Sequence, residues 1–338
     1  MLANKIPKER LADCLTLLKS ANKADLDNEP KEIILQTGGL FNFLLRVETS
    51  TRTVYFKQYL DNVPNATYNP PKIAAKIRAQ LAYDVQKIAA NATLSKGLSV
   101  VPDLIFFDEE LSAFLMTEAS GKTTLIDFLS KGNIPDNFLS QLPVALACLH
   151  ESTYGKYGPD SIYGNQEFRD FKLNLQYDGI IPFLSSVEAK AVMDCKKLYQ
   201  QKFECVTHGD INSRNILIGD VNIGIIDFEQ SHLGSPSYDL SYILCELVIS
   251  AYQFHKHEKL GLLITTFLDQ YFNTFTSGDR SEIEREITKH LAIQTIYRFV
   301  GPSRSSWTFY VDEKVKDVLI NRCKKMLLED QLVGLLEF

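Results

Sequence analysis

Asp210, Asn215 and Asp227 place two carboxylates and a carboxamide in one short stretch of the chain. Asp210 ends Thr207-His208-Gly209-Asp210, and Asp227 opens Asp227-Phe228-Glu229. Carboxylate and amide oxygens are hard ligands suited to magnesium. A carboxylate held off the metal can take the proton of an incoming hydroxyl. Phosphoryl transfer needs little more than a metal on the phosphates, a positioned nucleophile and compensating charge. Taken singly, each residue has a plainer reading: His-Gly-Asp is common turn chemistry, and an Asp after a strand often caps a helix. Order and spacing together point to the chemistry.

The spacing also implies how the residues are held. Asn215 to Ile218 and Val221 to Ile226 are apolar and rich in β-branched residues, separated by Gly219-Asp220, so they read as two strands of a hairpin. A hairpin centred near Val221 puts Asn215 and Asp227 side by side at its open end, with Asp210 on the loop that feeds it.

His-Gly-Asp, Asn215, the hairpin and Asp-Phe-Glu together resemble the catalytic loop and metal site of the aminoglycoside phosphotransferase and choline kinase superfamily, relatives of protein kinases that phosphorylate small molecules. Protein kinases carry H-R-D-x-x-x-x-N and D-F-G at these places; Gly209 and Glu229 favour the small-molecule branch. The resemblance implies Asp210 as catalytic base, Asn215 and Asp227 as magnesium ligands, and His208 as a brace. Asp239, in Gly234-Ser235-Pro236-Ser237-Tyr238-Asp239-Leu240, matches the element that supports the catalytic loop from a helix start. ATP or GTP and Mg2+ are the implied cofactors, and Glu229 falls beside the metal or the acceptor.

The first 117 residues read as mostly antiparallel sheet with an inserted helix, Lys72 to Ala92; helical periodicity dominates after Thr123. This order matches the superfamily: an α+β, two-lobed, protein-kinase-like fold, with an N-terminal nucleotide-binding lobe over 1–117, a hinge at about 117–121 and a C-terminal catalytic and substrate-binding lobe over 118–338. Gln36 to Asn42 contains Gly38 and Gly39, which form either a hairpin turn or, as the resemblance implies, the loop that covers the nucleotide. Lys57, among apolar strand neighbours, needs a partner for its charge or a path to water; the resemblance places it on the α- and β-phosphates. Kinases pair that lysine with a helix glutamate, but Lys72–Ala92 holds no Glu. Asp84 fits the pattern best, with Arg78 and Gln80 as other polar candidates. Leu115 to Gly121 resembles the hinge, so Met116, Glu118 and Ala119 are expected at the nucleobase. His150 reads as structural, near a helix C-terminus.

The chain of 338 residues is 45% hydrophobic and carries a net charge of −6, so no electrostatic argument favours nucleic acid. Six scattered cysteines form no C-x-x-C pair and read as buried free thiols. Residues 1–7 lack an apolar signal core, and Glu246 interrupts the longest apolar run, Leu240 to Ala251, so neither membrane nor export is expected and a cytoplasmic location is.

The acceptor is expected to be a small-molecule hydroxyl compound: an aminoglycoside, an amino alcohol or a sugar-like molecule. Lys57 to Leu60, Val101 to Asp103 and Leu129 to Gly132 show a weaker local similarity to methylthioribose kinase. Asp170, Asp178, Glu246, Glu258 and Asp269 read either as an acidic pocket or as solvated helix faces; Arg298 and Trp307 read as packing. The competing function is a catalytically inactive nucleotide-binding regulator of the same fold, supported by the unusual partner of Lys57. A protein kinase is disfavoured, because no A-P-E-like segment follows Asp227.

Overall fold

The structure is a computed structural model that describes residues 6–21, 30–36, 42–61 and 70–328. Five antiparallel strands form the first sheet: β1 (Glu32–Leu35), β2 (Asn42–Glu48), β3 (Thr53–Tyr59), β4 (Leu104–Asp108) and β5 (Ala113–Thr117), in the order β1-β2-β3-β5-β4. Helix α1 (Lys8–Ala21) covers one face, burying Cys14, Leu17 and Leu18 against Leu45, Val54, Phe56 and Leu115. Helix α2 (Ala75–Leu94) covers the other, with Ala75, Ala79 and Ala82 against Tyr59 and Phe114. Strand period 2 then fixes Lys57. Val54 and Phe56 point to α1, so Lys57 and Tyr59 point to the face that looks toward the rest of the molecule. Each fully buried apolar side chain here contributes about 1.5–3 kcal/mol.

The remainder is mainly helical: α3 (Leu125–Leu129), α4 (Asp136–Thr153), α5 (Gln166–Gln176), α6 (Ser186–Gln200), α7 (Pro236–Gln253), α8 (Leu260–Phe272), α9 (Arg280–Val300), α10 (Arg304–Trp307) and α11 (Glu313–Met326). Helix α7 is buried on every side from Pro236 to Tyr252, which explains why Leu240 to Ala251 is apolar all round rather than along one stripe. Ser235 caps its start and Pro236 takes the first turn, where a missing N–H costs nothing. The fold class expected from the sequence is borne out, with strand and helix ends shifted by a few residues.

Short strands carry the site. β6 (Thr123–Thr124), β8 (Ile216–Ile218) and β9 (Ile223–Ile225) form one small sheet; β7 (Cys205–Thr207) pairs with β10 (His232–Gly234). The sequence reading missed β6, β7 and β10, which are too short to show a period. Gly121, at φ +80°, lies so close to β8 that a Cβ would fall 2.4 Å from the Ile218 carbonyl carbon. A side chain there would push the small sheet off the segment that joins it to β5.

Candidate active site

The hairpin forms as its spacing required. Ile216 pairs with Ile225, and Ile226 N–H donates to the Asn215 carbonyl at 3.0 Å, so Asn215 and Asp227 stand at the open end. Asp227 adopts φ 74°, a left-handed conformation that strains a non-glycine residue by about 1–3 kcal/mol and turns its side chain out of the strand.

Asp210 is reached from β7. Gly209 precedes it at φ +76°, and a Cβ at that position would sit 2.1 Å from the Gln230 carbonyl oxygen. This contact explains why no arginine follows His208. The loop hangs from Asp239 in the first turns of α7. Its carboxylate accepts the His208 N–H at 2.6 Å, the Gly209 N–H at 3.0 Å and the His150 ring at 3.1 Å. His150 also bonds the Tyr271 hydroxyl at 2.9 Å. Burial alone would raise the pKa of Asp239, but the His150 bond and the nearby His150 and His208 hold it below the ordinary carboxylate value.

His208 is depressed by burial against the pull of Asp239, Asp210 and Asp227, so it is neutral. Its Nε2 lies 3.1 Å from the Ile226 carbonyl, and its Nδ1 accepts the Asp210 N–H at 3.3 Å, which assigns the proton to Nε2. His208 thus ties the loop to the hairpin. The bracing roles expected of His208 and Asp239 match this geometry, while His150 acts through Asp239 rather than through the end of its own helix.

The Asp210 carboxylate is held on both oxygens. Oδ1 accepts from Lys172 Nζ at 2.7 Å and from the Tyr242 hydroxyl at 3.0 Å; Oδ2 accepts from Asn215 Nδ2 at 3.1 Å. Lys172 also donates to Gln230 Oε1 at 2.6 Å. The sequence reading missed Lys172 and Tyr242. A signal existed: Arg169, Lys172 and Gln176 recur on the stripe that buries Phe168 and Leu173, so α5 carries polar residues on its core face.

On the sheet side, Lys57 Nζ lies 2.5 Å from Asp227 Oδ1. Burial would lower the lysine pKa, but Asp227, Tyr59 and Glu229 outweigh it and raise it above the ordinary value. The expected partner, Asp84, is elsewhere, close enough to Tyr163 to help raise that phenol after burial has done most of it. The cause lies in α2, whose sheet-facing positions are alanines, and Asp84 follows Ala82 by about 200° around the helix. Arg78 bonds the Leu60 and Ile73 carbonyls instead. Glu229 accepts from Asn42 Nδ2, and burial followed by repulsion from Asp227 pushes its carboxyl up to about 7.

These residues line one cavity of about 820 Å3, with Lys57 and Asn42 on the sheet side and Asp210, Asn215 and Asp227 opposite. Met116, Glu118 and Ala119 line it as well, with the Glu118 carboxylate turned to Arg46 and Tyr55. Gly38 and Gly39 lie outside the described residues. Among the described residues no three His, Cys, Asp or Glu side chains cluster to hold a metal. The donors present still suit magnesium, which takes one or two protein oxygens and completes its shell with phosphates and water. Asn215 uses its amide nitrogen on Asp210, and among the described residues its amide oxygen has no donor.

Of the carboxylates weighed as an acidic pocket, Asp170, Asp178 and Asp269 form ion pairs with Arg169, Lys196 and Arg280. Glu246 is buried under the loop, bonded to Arg298 Nη2 at 2.8 Å and accepting the Ser213 N–H at 3.2 Å. The six cysteines are buried free thiols, as expected. Among the described residues no helix is long and apolar enough to cross a membrane.

The model of the phosphotransferase enzyme family, APH, matches residues 180–280, the segment that holds Asp210, Asn215, Asp227 and Asp239. No curated protein matches the chain. A putative aminoglycoside phosphotransferase from Ralstonia eutropha is 14% identical with a TM-score of 0.53, covering 93% of this chain and 98% of that one. A choline/ethanolamine kinase family protein from Mesorhizobium loti is 14% identical with a TM-score of 0.52, covering 97% and 99%. Amicoumacin kinase hAmiN, solved with AMP-PNP, Ca2+ and Ami, is 14% identical with a TM-score of 0.55, covering 95% of this chain and 93% of that one. At such identities the likeness is one of fold. The matched segment carries the catalytic-loop motif that suggested the aminoglycoside phosphotransferase and choline kinase superfamily, and the neighbours share the fold expected from it.

Proposed function

We propose that this protein is a small-molecule kinase that moves the γ-phosphoryl group of ATP or GTP to a hydroxyl. The observation that carries the reading is the convergence of Lys57, Asp210, Asn215 and Asp227 on one cavity from three separate segments, β3, the loop before β8 and the end of β9. The complex of the similar hAmiN with AMP-PNP and Ca2+ supports a nucleotide and a divalent cation. In this reading residues 1–117 bind the nucleotide and 118–338 carry the chemistry, joined at about 117–121. The free thiols favour a reducing compartment, the cytoplasm.

Asn215 and Asp227 hold Mg2+, which when bound neutralises charge on the phosphates. Lys57 leaves Asp227 to pair with the α- and β-phosphates. Met116 and the backbone of Glu118 and Ala119 meet the nucleobase. Asp210 accepts the hydroxyl proton while the hydroxyl oxygen bonds to the γ-phosphorus and the bond to the leaving diphosphate breaks. Lys172, Tyr242 and Asn215 fix the base before substrate arrives. The rival reading, an inactive regulator, rested on the unusual partner of Lys57, which here is Asp227; the intact set of Asp210, Asn215 and Asp227 favours catalysis.

The test is Asp210→Ala in an ATP turnover assay over aminoglycosides, amino alcohols and sugars. Turnover should vanish while AMP-PNP binding, followed by calorimetry, persists; unchanged turnover would remove Asp210 from the mechanism.

A further inference from the structure

The charges around Asp210 narrow the acceptor, provided that the kinase reading above holds. Lys172 is a cation fixed at the base, its side chain 8% exposed and bonded to Asp210 Oδ1 at 2.7 Å. Asp210 therefore has its counterion from within the protein. Glu246, buried under the loop, has both oxygens engaged, by Arg298 and by the Ser213 N–H.

The aromatic faces near the loop are taken as well. The Arg298 guanidinium lies 4.6 Å from the Tyr242 ring centre and 4.5 Å from that of Trp307. The Arg214 guanidinium also lies over Trp307, at 4.5 Å. Aromatic faces and open carboxylates are what attract an ammonium ion. The other carboxylates that line the cavity already face partners, Asp227 facing Lys57, Glu229 facing Asn42 and Glu118 facing Arg46, so a cationic amine docked at Asp210 would compete with these partners and meet Lys172 and Arg214.

Arg214 gives the complementary signal. Its side chain lines the cavity together with Trp307 and Asn212, on the loop that carries Asp210. Nη2 donates to the Ser306 carbonyl at 2.5 Å. Among the described residues no carboxylate pairs with Arg214, so the remaining donors of a planar, permanently charged fork stay available at the cavity wall. Stacking on Trp307 and the Ser306 bond hold that fork in place, which lowers the entropy lost on binding an anion.

We infer that the acceptor is an anion: a small hydroxyl compound that carries a phosphate or carboxylate group, docked by Arg214 with its hydroxyl at Asp210. The acid group gives orientation, and Lys172 keeps the approach to Asp210 open to negative charge. The product is a phosphate ester that still bears the original acid group.

The experiment is a thermal-shift series on the full chain with Mg2+ and AMP-PNP. Ribose 5-phosphate and glycerate are the anionic probes, ribose the neutral one, ethanolamine and kanamycin the cationic ones. Binding to the native state raises the melting temperature in step with affinity. One or both anionic probes should raise it beyond AMP-PNP alone, and the two arms tell phosphate from carboxylate. Arg214→Gln, confirmed folded by its own melting transition, should weaken that binding about tenfold or more, and Arg214→Lys should restore part of it. Stabilisation by ethanolamine or kanamycin, an equal effect of ribose, no effect of either anion, or full retention in Arg214→Gln would each overturn the inference. A wild-type protein that AMP-PNP fails to stabilise would count instead against the kinase reading.

Discussion

Two lysines each hold an aspartate of the site, and they come from opposite parts of the molecule. Lys57 reaches Asp227 from the five-stranded sheet, while Lys172 reaches Asp210 from helix α5. The Asp227 side chain is 32% exposed, and among the described residues Lys57 alone bonds it. The Asp210 side chain is 16% exposed and is held by Lys172, Tyr242 and Asn215 together. The first pair suits an exchange: a metal takes the carboxylate and phosphates take the ammonium, so little is lost when the pair parts. The second suits permanence, because a base must be aimed before the hydroxyl arrives. Charged pairs that look alike thus divide into one to be broken by substrate and one to be kept.

The largest effect should follow from disturbing the permanent side. Asp210→Asn keeps the size of the side chain but removes the base, so kcat should fall by about 10²–10⁴-fold with nucleotide affinity little changed. Lys57→Met should act the other way, raising the KM for nucleotide more than it lowers kcat. Steady-state kinetics over both substrates checks the split; equal effects of the two variants on both constants would erase the contrast.

Next in size is Asp239→Asn. It weakens a buried acceptor of three hydrogen bonds and leaves the His208 and Gly209 amides competing for one oxygen. The expected loss is about 3–5 kcal/mol of stability, read as a lower urea midpoint. Lys57→Met, at a pair made to part, should shift that midpoint far less.

The helical part should also respond to acid. Burial pushes His232 and His290 down from 6.5 to about 4. Both are therefore neutral in the fold, whereas the unfolded chain takes up their protons near 6.5. Stability should be unaffected above that pH, fall as pH drops from about 6.5 to 4, and level off below. Each histidine accounts for about 3 kcal/mol over that window. Urea unfolding at a series of pH values tests this, with His290→Gln expected to flatten the slope.

The sequence made the loop and hairpin legible because their residues are close along the chain and their strands are β-branched runs separated by Gly219-Asp220. Asp210, Asn215 and Asp227 could be set side by side from spacing alone. What stayed hidden was contact across elements. Asp84 was the natural partner for Lys57 when only one helix was considered, yet alanines on its sheet face and the turned-out Asp227 decide otherwise. Lys172 precedes Asp210 on another element, and nothing local marks it except polar residues on a buried stripe. Arg298 and Trp307 read as packing, and they do pack, but the packing fixes the loop through Glu246.

The smallest effect should come from the contact that joins the two sides. Asn42, at the start of β2, donates its amide to Glu229, and its own Oδ1 is buried with no partner among the described residues. The carboxyl sits near 7, so around neutral pH the bond alternates between a charged and a neutral acceptor. A net hydrogen bond of this kind is worth about 1 kcal/mol. Asn42→Ala should therefore raise the KM for nucleotide by about fivefold, because it loosens the sheet side where the nucleotide sits. It should leave kcat nearly unchanged, since Lys172, Tyr242 and Asn215 hold Asp210 without help from β2. A kcat effect as large as the KM effect would mean that the base depends on the sheet after all, and that the two aspartates move as one unit.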